Sequence, residues 1–590
     1  MYTSSTSSAF SLPAYAPARN AIEVLIHGAI LSDEEQPQHL LERTISTLFS
    51  VEEEFGTPTD RIQKMARTFA EYMVEGYVLP GTPALTNAGR HNMALSSCAI
   101  IPVDLQDLNK EAADHVCSYY RQNMGSGFQF TNYENPVAIL GWLNDLSARE
   151  TATGTYERYI GNMGLLHIAH PRIQEFIEAK RLRNMRHFNI SIDVTEDFMK
   201  RVAQGVSFAL SDGTETNATE LLRQMAKNAW HNGDPGLIFL ERMNRDNALE
   251  SMSRYVSTPP CAEMGMAEGE TSQFGYLNLH RFLRKTGKTI VIDYEKLQSV
   301  TELLTRVLDN AIEYSLPRYP ALINAKIARV KRKMGIGVCG LADMLIALKL
   351  PYDTQAARDV ARDVLSFINY ISKCASVTLA NERGSCDAMN FPLVNKYISG
   401  HFLEDKYMPR PTRTVSAQQW EELATTIRVT RKLRNIATTA LPPTGRSSIL
   451  LDATPSIEPL FHVFTSTGQL HASASALLHE EMQGNEQMIH HVQQEALRKG
   501  SFQAITSLPT NVRDCLKTAK EIAPLDHLRM VADLAGMYGV IDESASKTVN
   551  LPHTATVEDI QHIFLSAWQL GLKNISVYRD KTFAEQPISI

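Results

Sequence analysis

Cys261 follows two prolines and precedes a carboxylate by two residues, a spacing that could do sulfur chemistry. Residues 257–264 read STPPCAEM. Pro259 and Pro260 each hold φ near about −65° and lack a backbone donor, so the approach to the cysteine is stiff. With Glu263 alongside, the thiol suits a positioned sulfur reagent with an acid/base partner. Spacing alone favours the alternative of a buried cysteine in a proline loop, since free cysteine is among the most buried residue types.

A second candidate site is a phosphate-binding loop over residues 441–448, which read LPPTGRSS. It follows a strand predicted over residues 435–440. Hydroxyl groups, the guanidinium of Arg446 and a glycine that lets backbone N–H groups turn inward together suit a phosphate, especially where a helix begins. A polar strand-to-helix turn is the alternative reading of the same residues.

Three further patterns carry weaker signals. Residues 125–127, Gly-Ser-Gly, predict a turn that lets a ligand approach the backbone. The G-x-G-x-x-G match over residues 335–340 is discounted, because the charged run before it is no apolar strand and its first glycine falls inside the predicted strand. His471, His479 and the pair at 490–491 lack a metal-binding spacing, so no metal site is predicted.

The composition describes a globular protein with no nucleic-acid or membrane partner. The 590 residues are 44% hydrophobic and 21% charged, and the formal net charge is −7. No apolar run reaches the length of a membrane span, and no signal peptide is evident. Seven cysteines are dispersed without a C-x-x-C spacing, which is typical of reduced thiols in the cytoplasm.

The elements that must position these residues alternate between helix and strand. Apolar residues at helical spacing predict a helical region over residues 1–79, which ends at the Pro-Gly break near residue 80. Strands are predicted at 188–192 and 237–240, and Asp293 is predicted to cap a long helix. These units indicate one α/β domain over residues 80–580, a closed barrel, followed by a short tail over 581–590.

Many short runs together resemble one family, the class II, adenosylcobalamin-dependent ribonucleotide reductases. In chain order the runs are TPALTNAG at 82–89, LSSC at 95–98, GSGF at 125–128, GNMG at 161–164, HP at 170–171, EFIEAK at 175–180, PPCAE at 259–263, GIGV at 335–338, ADML at 342–345, PTG at 443–445, IEPLF at 457–461, SKTVNLP at 546–552 and SVYRD at 576–580. They follow the family's order from about residue 20 to 580.

The resemblance implies a ten-stranded α/β barrel with a central finger loop, Cys261 at its tip. It implies adenosylcobalamin as cofactor and a thiyl radical on Cys261 that abstracts the 3′ hydrogen of a ribonucleotide, with Glu263 as general base. The substrate-binding positions that it implies are Ser97, Gly125, Pro259, Pro260, Pro443, Thr444, Gly445, Arg446 and Ser447. A nucleotide effector and a monomer or homodimer are also expected.

The chain departs from the family at the residues that supply electrons for the reduction and at one that binds the substrate. The family closes a cysteine pair to a disulfide in each turnover, and Cys98 matches one member. Aligning residues 275–279 with the family's strand places Ser272 at the other, and serine cannot form a disulfide. Pro259 stands where the family has an asparagine that binds the 2′ oxygen, and residues 581–590 contain no cysteine.

Three functional hypotheses follow. The first is reduction to a 2′-deoxynucleotide with an unusual reductant, for example a small molecule such as formate. The second is a redox-neutral radical reaction on the ribose, such as C2′ epimerisation, which needs no disulfide. The third is a nucleotide-binding regulator that has lost catalysis, and the retention of Cys261, Glu263 and the phosphate loop speaks against it.

Overall fold

A computed structural model describes residues 10–32, 35–153, 159–183, 185–464 and 468–582. The strands are β1 Val78–Pro80, β2 Cys98–Ile100, β3 Gly125–Gln129, β4 Asn162–His167, β5 Phe188–Asp193, β6 Ser207–Ala209, β7 Glu215–Asn217, β8 Gly236–Ile238, β9 Thr271–Ser272, β10 Phe274–Asn278, β11 Leu283–Thr286, β12 Thr289–Ile292, β13 Gly335–Cys339, β14 Thr548–Leu551 and β15 Asn574–Arg579.

Helices lie between and outside these strands. They are α1 Arg19–His27, α2 Pro37–Ser50, α3 Thr59–Val74, α4 Thr82–Asn87, α5 Lys110–Tyr120, α6 Pro136–Ala152, α7 Ile173–Leu182, α8 Glu196–Gln204, α9 Ala218–Asn232, α10 Leu240–Arg245, α11 Tyr294–Ser315, α12 Leu322–Lys331, α13 Leu341–Ala347, α14 Gln355–Arg383, α15 Lys396–Ser399, α16 Phe402–Tyr407, α17 Ala417–Thr430, α18 Gly445–Leu450, α19 Ala472–Glu481, α20 Glu486–Lys499, α21 Thr510–Cys515, α22 Pro524–Ala535 and α23 Val557–Gln569.

One half of the barrel consists of β2, β3, β4, β5 and β8, each parallel to the next. Parallel neighbours need a crossover connection, and helices α5 to α9 provide it. Both faces of such strands are covered, so their residues are mostly buried and apolar. The predicted strand at 188–192 is β5, and the one predicted at 237–240 is β8, shorter than expected because α10 begins at Leu240.

The other half runs from β9 and β10 through β13 and the segment 437–441 to β14 and β15. The strand predicted over 435–440 makes isolated parallel bridges rather than a full ladder, Ile336 with Thr439 and Leu441 with Ala545. The halves meet antiparallel where β8 pairs with β15 and β2 with β9. With β9 and β10 taken as one strand, ten strands follow one another, which confirms the predicted ten-stranded α/β barrel.

The chain from Ser253 to Ala267 runs through the barrel interior and forms the predicted finger loop. An antiparallel bridge between Ser257 and Met266 closes its base. The loop packs against both barrel halves through two small apolar clusters. Tyr255 and Ala262 join Met163, Leu165, Ile238, Leu240 and Met243, whereas Met264 and Met266 join Ile100, Phe274, Tyr276 and Ala440.

Within residues 10–79 the predicted helical N-terminal region is confirmed as α1, α2 and α3, which pack against the barrel, and residues 1–9 of that prediction lie outside the described residues. A buried ion cluster attaches this region to the later helices. Glu52 accepts hydrogen bonds from Arg306 (2.8 Å), Asn310 (2.8 Å) and Arg383 (2.5 Å). Burial by itself would raise the pKa of Glu52, but these arginines outweigh it and lower the pKa to about 2. The carboxylate therefore stays charged in the core.

Three local patterns of the sequence, a helix cap, a glycine motif and a set of histidines, can be compared with the structure. Asp293 caps α11, its carboxylate accepting from the N–H of Lys296 at 3.0 Å. Gly335 and Gly337 lie inside β13, so the G-x-G-x-x-G match is not a strand-to-helix turn. His479 and the 490–491 pair lie on α19 and α20, with His471 at the start of α19.

Within the described ranges, no group of three or more His, Cys, Asp or Glu side chains is placed to hold a metal ion. No helix in those ranges is long and apolar enough to cross a membrane. The boundaries at residues 80 and 580 stay predictions, and residues 583–590 of the tail lie outside the described residues.

Replacing Glu52 with Gln will lower the free energy of unfolding by about 1.5–3 kcal/mol, because Arg306 and Arg383 lose a buried charged partner and keep only Glu382 and Asp309. Exposed Glu54, in the same turn, is the control, and Glu54→Gln will leave stability unchanged. Since the folded pKa is depressed, the stabilisation is present above pH 4.5 and is lost as pH falls towards 2. Urea denaturation at pH 7 compares the two variants, and urea denaturation of the wild type between pH 4.5 and pH 2 measures the loss of stability. Equal stability of the two variants at pH 7 would contradict the prediction.

Candidate functional site at the tip of the finger loop

The thiol of Cys261 lies at the tip of the finger loop. The Cys261 side chain is exposed, whereas Glu263 is 3% exposed. Between them Ala262 has φ of +59°, a left-handed conformation that is uncommon for a residue with a Cβ, and its N–H donates to Pro259 O at 3.0 Å. The tight turn therefore presents one accessible thiol next to one buried carboxylate.

The barrel wall pairs the backbone carbonyls of the loop tip. Asn189 on β5 donates its side-chain amide to Pro260 O at 2.9 Å, and Asn574 on β15 donates to Ala262 O at 2.9 Å. The N–H of Ser544 donates to Glu263 O at 3.1 Å. Buried backbone polar groups need such partners, so these contacts fix where Cys261 stands.

A buried charge pair holds the loop at Gly265. Lys333 donates to Gly265 O at 2.5 Å, while Glu543 accepts from Gly265 N–H at 3.2 Å. The two side chains are 3.0 Å apart, and Tyr255 donates to Glu543 at 3.0 Å. Lys333 and Glu543 thus hydrogen-bond the carbonyl and the N–H of Gly265, four residues after the thiol. We call this pair of side chains the clamp.

A second pair beside this clamp holds the base of the loop. Glu270 accepts from the N–H of Ala267 at 2.8 Å and from Lys331 at 2.6 Å. Burial would raise the pKa of Glu270, but the charges of Lys331 and Lys333 outweigh it and lower the pKa. The charged run 331–333 is therefore buried, and two of its three side chains serve the finger loop.

Glycines of β3 make room for the loop. Residues 125–127 form a strand rather than the predicted turn, because they pair with both β2 and β4. A Cβ on Gly127 would lie 2.3 Å from Thr258 O, so only glycine permits this approach. The backbone that comes close to Gly127 is the protein's own loop, whereas Gly125 lines the cavity, and the predicted approach of a ligand to this segment stays a prediction.

A cavity of about 380 Å³ opens in front of Cys261. Eleven of the twelve predicted site residues line it; Pro259 is buried behind the tip and does not. The lining residues are Thr82, Pro83, Ser97, Cys98, Gly125, Tyr159, Gly161, Asn162, Arg186, His187, Asn189, Pro260, Cys261, Glu263, Phe274, Tyr276, Pro442, Pro443, Thr444, Gly445, Arg446 and Ser447. One space therefore joins the thiol, the carboxylate and the candidate phosphate loop.

The candidate phosphate loop ends in a helix, as its residues suggested. Thr444 has φ of +55°, and α18 begins at Gly445, so the first backbone N–H groups of a helix face no intrahelical partner. The hydroxyl of Thr444 accepts from Ser456 N–H at 2.7 Å, which fixes the turn. Arg446 donates to Gly28 O at 3.2 Å, which attaches the loop to the end of α1.

Cys98 and Ser272 are direct partners across the pairing of β2 with β9. Ser272 is fully buried, and its hydroxyl makes no hydrogen bond to any residue that the structure describes. None of the seven cysteines, all within the described residues, is in a disulfide, and of these Cys98 and Cys261 line the cavity. Ser272 thus stands beside Cys98 where a second thiol would be needed to close a disulfide.

An aromatic pair lines another part of the cavity. Tyr159 stacks on His187 with 4.8 Å between ring centroids, and its hydroxyl donates to Arg186 O at 2.9 Å. Tyr159 is 54% exposed. Sequence analysis missed this pair, the two asparagines and the clamp; the only local signal was the run of three basic residues immediately before β13.

Replacing Lys333 with Met will raise the hydrogen-exchange rate of the Gly265 amide about tenfold or more, because a hydrogen bond to a charged group contributes about 1.5–3 kcal/mol. Lys326→Met is the control: Lys326 lies exposed on α12, away from the residues that hold the finger loop. Hydrogen exchange followed by mass spectrometry of peptides covering 257–267 compares the two variants. Equal exchange in the two variants would show that the clamp does not hold the loop.

Comparison with known proteins agrees with this geometry. The family model described as "Ribonucleotide reductase, barrel domain" matches residues 126–578. A vitamin B12-dependent ribonucleoside-diphosphate reductase of Mycobacterium tuberculosis (strain CDC 1551 / Oshkosh) is 29% identical over 95% of this chain and 79% of its own length. The protein of the same name from Thermoplasma acidophilum is 30% identical over 88% of this chain and 66% of its own.

A solved structure shares the fold. The class Id ribonucleotide reductase alpha subunit of Actinobacillus ureae superposes with a TM-score of 0.73 over 96% of this chain and 98% of that one, at 17% identity. The family match begins within β3 and covers the later strands of both barrel halves, the finger loop and the candidate phosphate loop, whereas β2 precedes it. The chain belongs to the ribonucleotide reductase family.

Proposed function

We propose that this protein is an adenosylcobalamin-dependent radical enzyme of the ribonucleotide reductase type, acting on a ribonucleotide through a thiyl radical on Cys261. One observation carries the proposal: a single exposed thiol at the tip of a loop inside the barrel shares one cavity with a buried carboxylate and a phosphate loop. The enzyme is an oxidoreductase by this family relationship. We place it in the cytoplasm, as a monomer or homodimer open to a nucleotide effector, with the barrel domain spanning 80–580.

The cofactor assignment comes from relatives whose names state vitamin B12 dependence. The residues present fit a large organic group, because the Cys261 thiol is exposed at an open cavity. Arg186 and Asn189, both exposed at that cavity, would hold it. When bound, adenosylcobalamin supplies the radical that oxidises the Cys261 thiol.

The chain's own residues then position the ribose. Pro443 to Ser447 bind the phosphates through hydroxyl groups and the first N–H groups of α18. The thiyl sulfur of Cys261 removes the 3′ hydrogen, and Glu263 accepts the proton of the 3′ hydroxyl as general base. Pro259 and Pro260 keep the tip stiff, while Ser97, Cys98 and Gly125 line the ribose pocket. Orientation of this kind is the protein's main contribution to radical chemistry.

The first candidate outcome is a 2′-deoxynucleotide. Removing the 2′ oxygen consumes two electrons, and Cys98 has a serine rather than a thiol as its neighbour. An external reductant would have to supply them. The second candidate is a redox-neutral rearrangement of the ribose, and the pairing of Cys98 with Ser272 favours it, because no internal disulfide is then required.

Anaerobic incubation of the full-length protein with adenosylcobalamin and each ribonucleotide tests the proposal. The expected product is either lighter than substrate by one oxygen or an isomer of unchanged mass, resolved by chromatography and mass spectrometry. Cys261→Ala will abolish both products while nucleotide binding persists, because only the thiol carries the radical. Turnover that survives this substitution would contradict the assignment, and absence of any product with every nucleotide would favour a regulator.

Replacing Gly445 with Asp will weaken nucleotide binding at least tenfold, about 1.4 kcal/mol, because a carboxylate at the loop repels phosphate. Gly445→Ala is the matched control, since a Cβ there meets no atom within 4 Å. Isothermal titration calorimetry with the same nucleotide compares the two. If the Asp and Ala variants bind equally well, the phosphates lie elsewhere.

A further inference from the structure

The turn that follows α1 contacts the candidate phosphate loop without lining the cavity. This α1 turn comprises Gly28, Ala29 and Ile30, three described residues that do not line the cavity. The N–H of Gly28 donates to Val24 O at 2.9 Å, and the N–H of Ile30 donates to Leu25 O at 3.0 Å. These bonds close the end of α1. The carbonyls of Gly28 and Ile30 each accept a hydrogen bond from an arginine elsewhere in the chain.

Arg43 on α2 attaches the α1 turn to one wall of the cavity. Its guanidinium donates to Ile30 O at 2.9 Å. The same guanidinium donates to Leu85 O at 2.5 Å and to Ala88 O at 2.6 Å, at the end of α4. The first two residues of α4 line the cavity. The α1 turn therefore has a fixed position relative to that wall.

Arg446 joins the α1 turn to the cavity. It lines the cavity, and its guanidinium donates to Gly28 O at 3.2 Å. An arginine side chain has many rotamers, and a ligand that must order it loses affinity through the entropy cost. The five N–H donors of a guanidinium share one plane, so a carbonyl bonded to one of them orients them all. The Gly28 carbonyl thus orders the guanidinium before a phosphate binds.

Position 28 requires glycine for steric rather than conformational reasons. Gly28 has φ of −81°, which any residue can adopt. A Cβ there would lie 2.6 Å from Val24 O and 3.3 Å from a terminal nitrogen of Arg446. The first distance is shorter than real Cβ atoms show, so the end of α1 would shift and take the Gly28 carbonyl with it. The contact with Arg446 therefore depends on a residue without a side chain.

We propose that the α1 turn positions Arg446 for the phosphate groups of the nucleotide; this rests on the phosphate-binding role proposed above for residues 443–447. Gly28 is a positioning residue, because its carbonyl holds the guanidinium in the plane in which it binds phosphate oxygens. Arg43 keeps the turn in place against α4. The N-terminal helical region thereby contributes to the affinity for a nucleoside di- or triphosphate through residues that do not line the cavity.

Isothermal titration calorimetry of the full-length protein with inorganic pyrophosphate, and with CDP, ADP, GDP and UDP, tests the proposal. Arg446→Ala will weaken binding of these ligands about tenfold or more, because a charge-assisted hydrogen bond is lost. Gly28→Ala will weaken it about threefold or more, because the guanidinium keeps its charge but loses its orientation.

Gly536→Ala is the matched control for Gly28→Ala. Gly536 ends α22, and a Cβ there would lie 2.7 Å from Ala532 O, so it meets the same conflict with its own helix. Gly536 does not line the cavity. Pyrophosphate will therefore bind Gly536→Ala as it binds the wild type, and an equal loss of affinity in both glycine variants would overturn the proposal.

A double-mutant cycle separates positioning from a merely structural role. In the Arg446→Ala background, Gly28→Ala will leave the affinity for pyrophosphate unchanged, because the α1 turn acts on the phosphate only through the guanidinium. An equal loss in both backgrounds would show that the substitution disturbs the fold, and it would overturn the proposal.

A measurement on the wild type decides the matter even where Gly28→Ala fails to fold. Coupling between two sites is reciprocal, so a phosphate that binds Arg446 must stabilise the contact between Arg446 and the α1 turn. Saturating pyrophosphate will slow hydrogen exchange in peptides covering residues 24–32 about twofold or more, and Arg446→Ala will abolish this slowing. Unchanged exchange in the saturated wild type would overturn the proposal.

Two outcomes distinguish this proposal from the one on which it rests. If Gly445→Asp weakens nucleotide binding but Arg446→Ala does not, the loop binds phosphate and the role of the α1 turn is wrong. If neither substitution weakens binding, the phosphates lie elsewhere and both proposals fail.

Discussion

The whole site depends on one constraint: a loop that passes through a barrel interior carries most of its backbone polar groups away from solvent. Each buried N–H and C=O must then find a protein partner, and each partner found also fixes a position. Asn189 and Asn574 hold the tip, while Lys333 and Glu543 hold Gly265. The requirement to satisfy the loop is what places the Cys261 sulfur at one point of the cavity.

Charge is used in two buried networks with different tasks. The outer one joins Glu52 to Arg306 and Arg383, and so attaches the N-terminal helices to α11 and α14. The inner one, around Lys333 and Glu543, grips the finger loop. Buried ion pairs stabilise little in net terms, but losing one partner is costly. Both networks therefore contribute position and register more than free energy of folding.

The cavity combines a family framework with an altered set of sulfurs. The thiol at the loop tip, the buried carboxylate and the candidate phosphate loop line one cavity, the arrangement on which the proposed radical function rests. Beside them, Cys98 pairs with Ser272 across two strands, and the hydroxyl cannot replace a thiol in a disulfide. The proposed radical chemistry uses Cys261 and Glu263, whereas a reducing disulfide would use Cys98 and the position of Ser272. Because these residues are separate, the second pair can change while the first keeps its geometry.

The sequence by itself determined the overall architecture and predicted which side chains could carry chemistry. The PPCAE run and the loop at 441–448 are local patterns, and local patterns can be recognised without knowledge of distant contacts, whereas Ser272 was identified through the alignment with the family. The strand at 188–192 and the Asp293 cap were predictable for the same reason. The strand conformation of residues 125–127 was not predictable. Two glycines are equally typical of a turn and of a strand that another loop must approach closely.

Only the tertiary structure decided what surrounds the thiol. The residues that hold the finger loop come from positions 189, 333, 543 and 574, far apart in the chain, and polar side chains there have no local signature. The stacking of Tyr159 on His187 likewise depends on how β4 and β5 begin side by side. Sequence patterns indicate periodicity and local turns. The hydrogen-bond partners of buried polar groups depend on which distant segments pack together, and only the folded structure shows that.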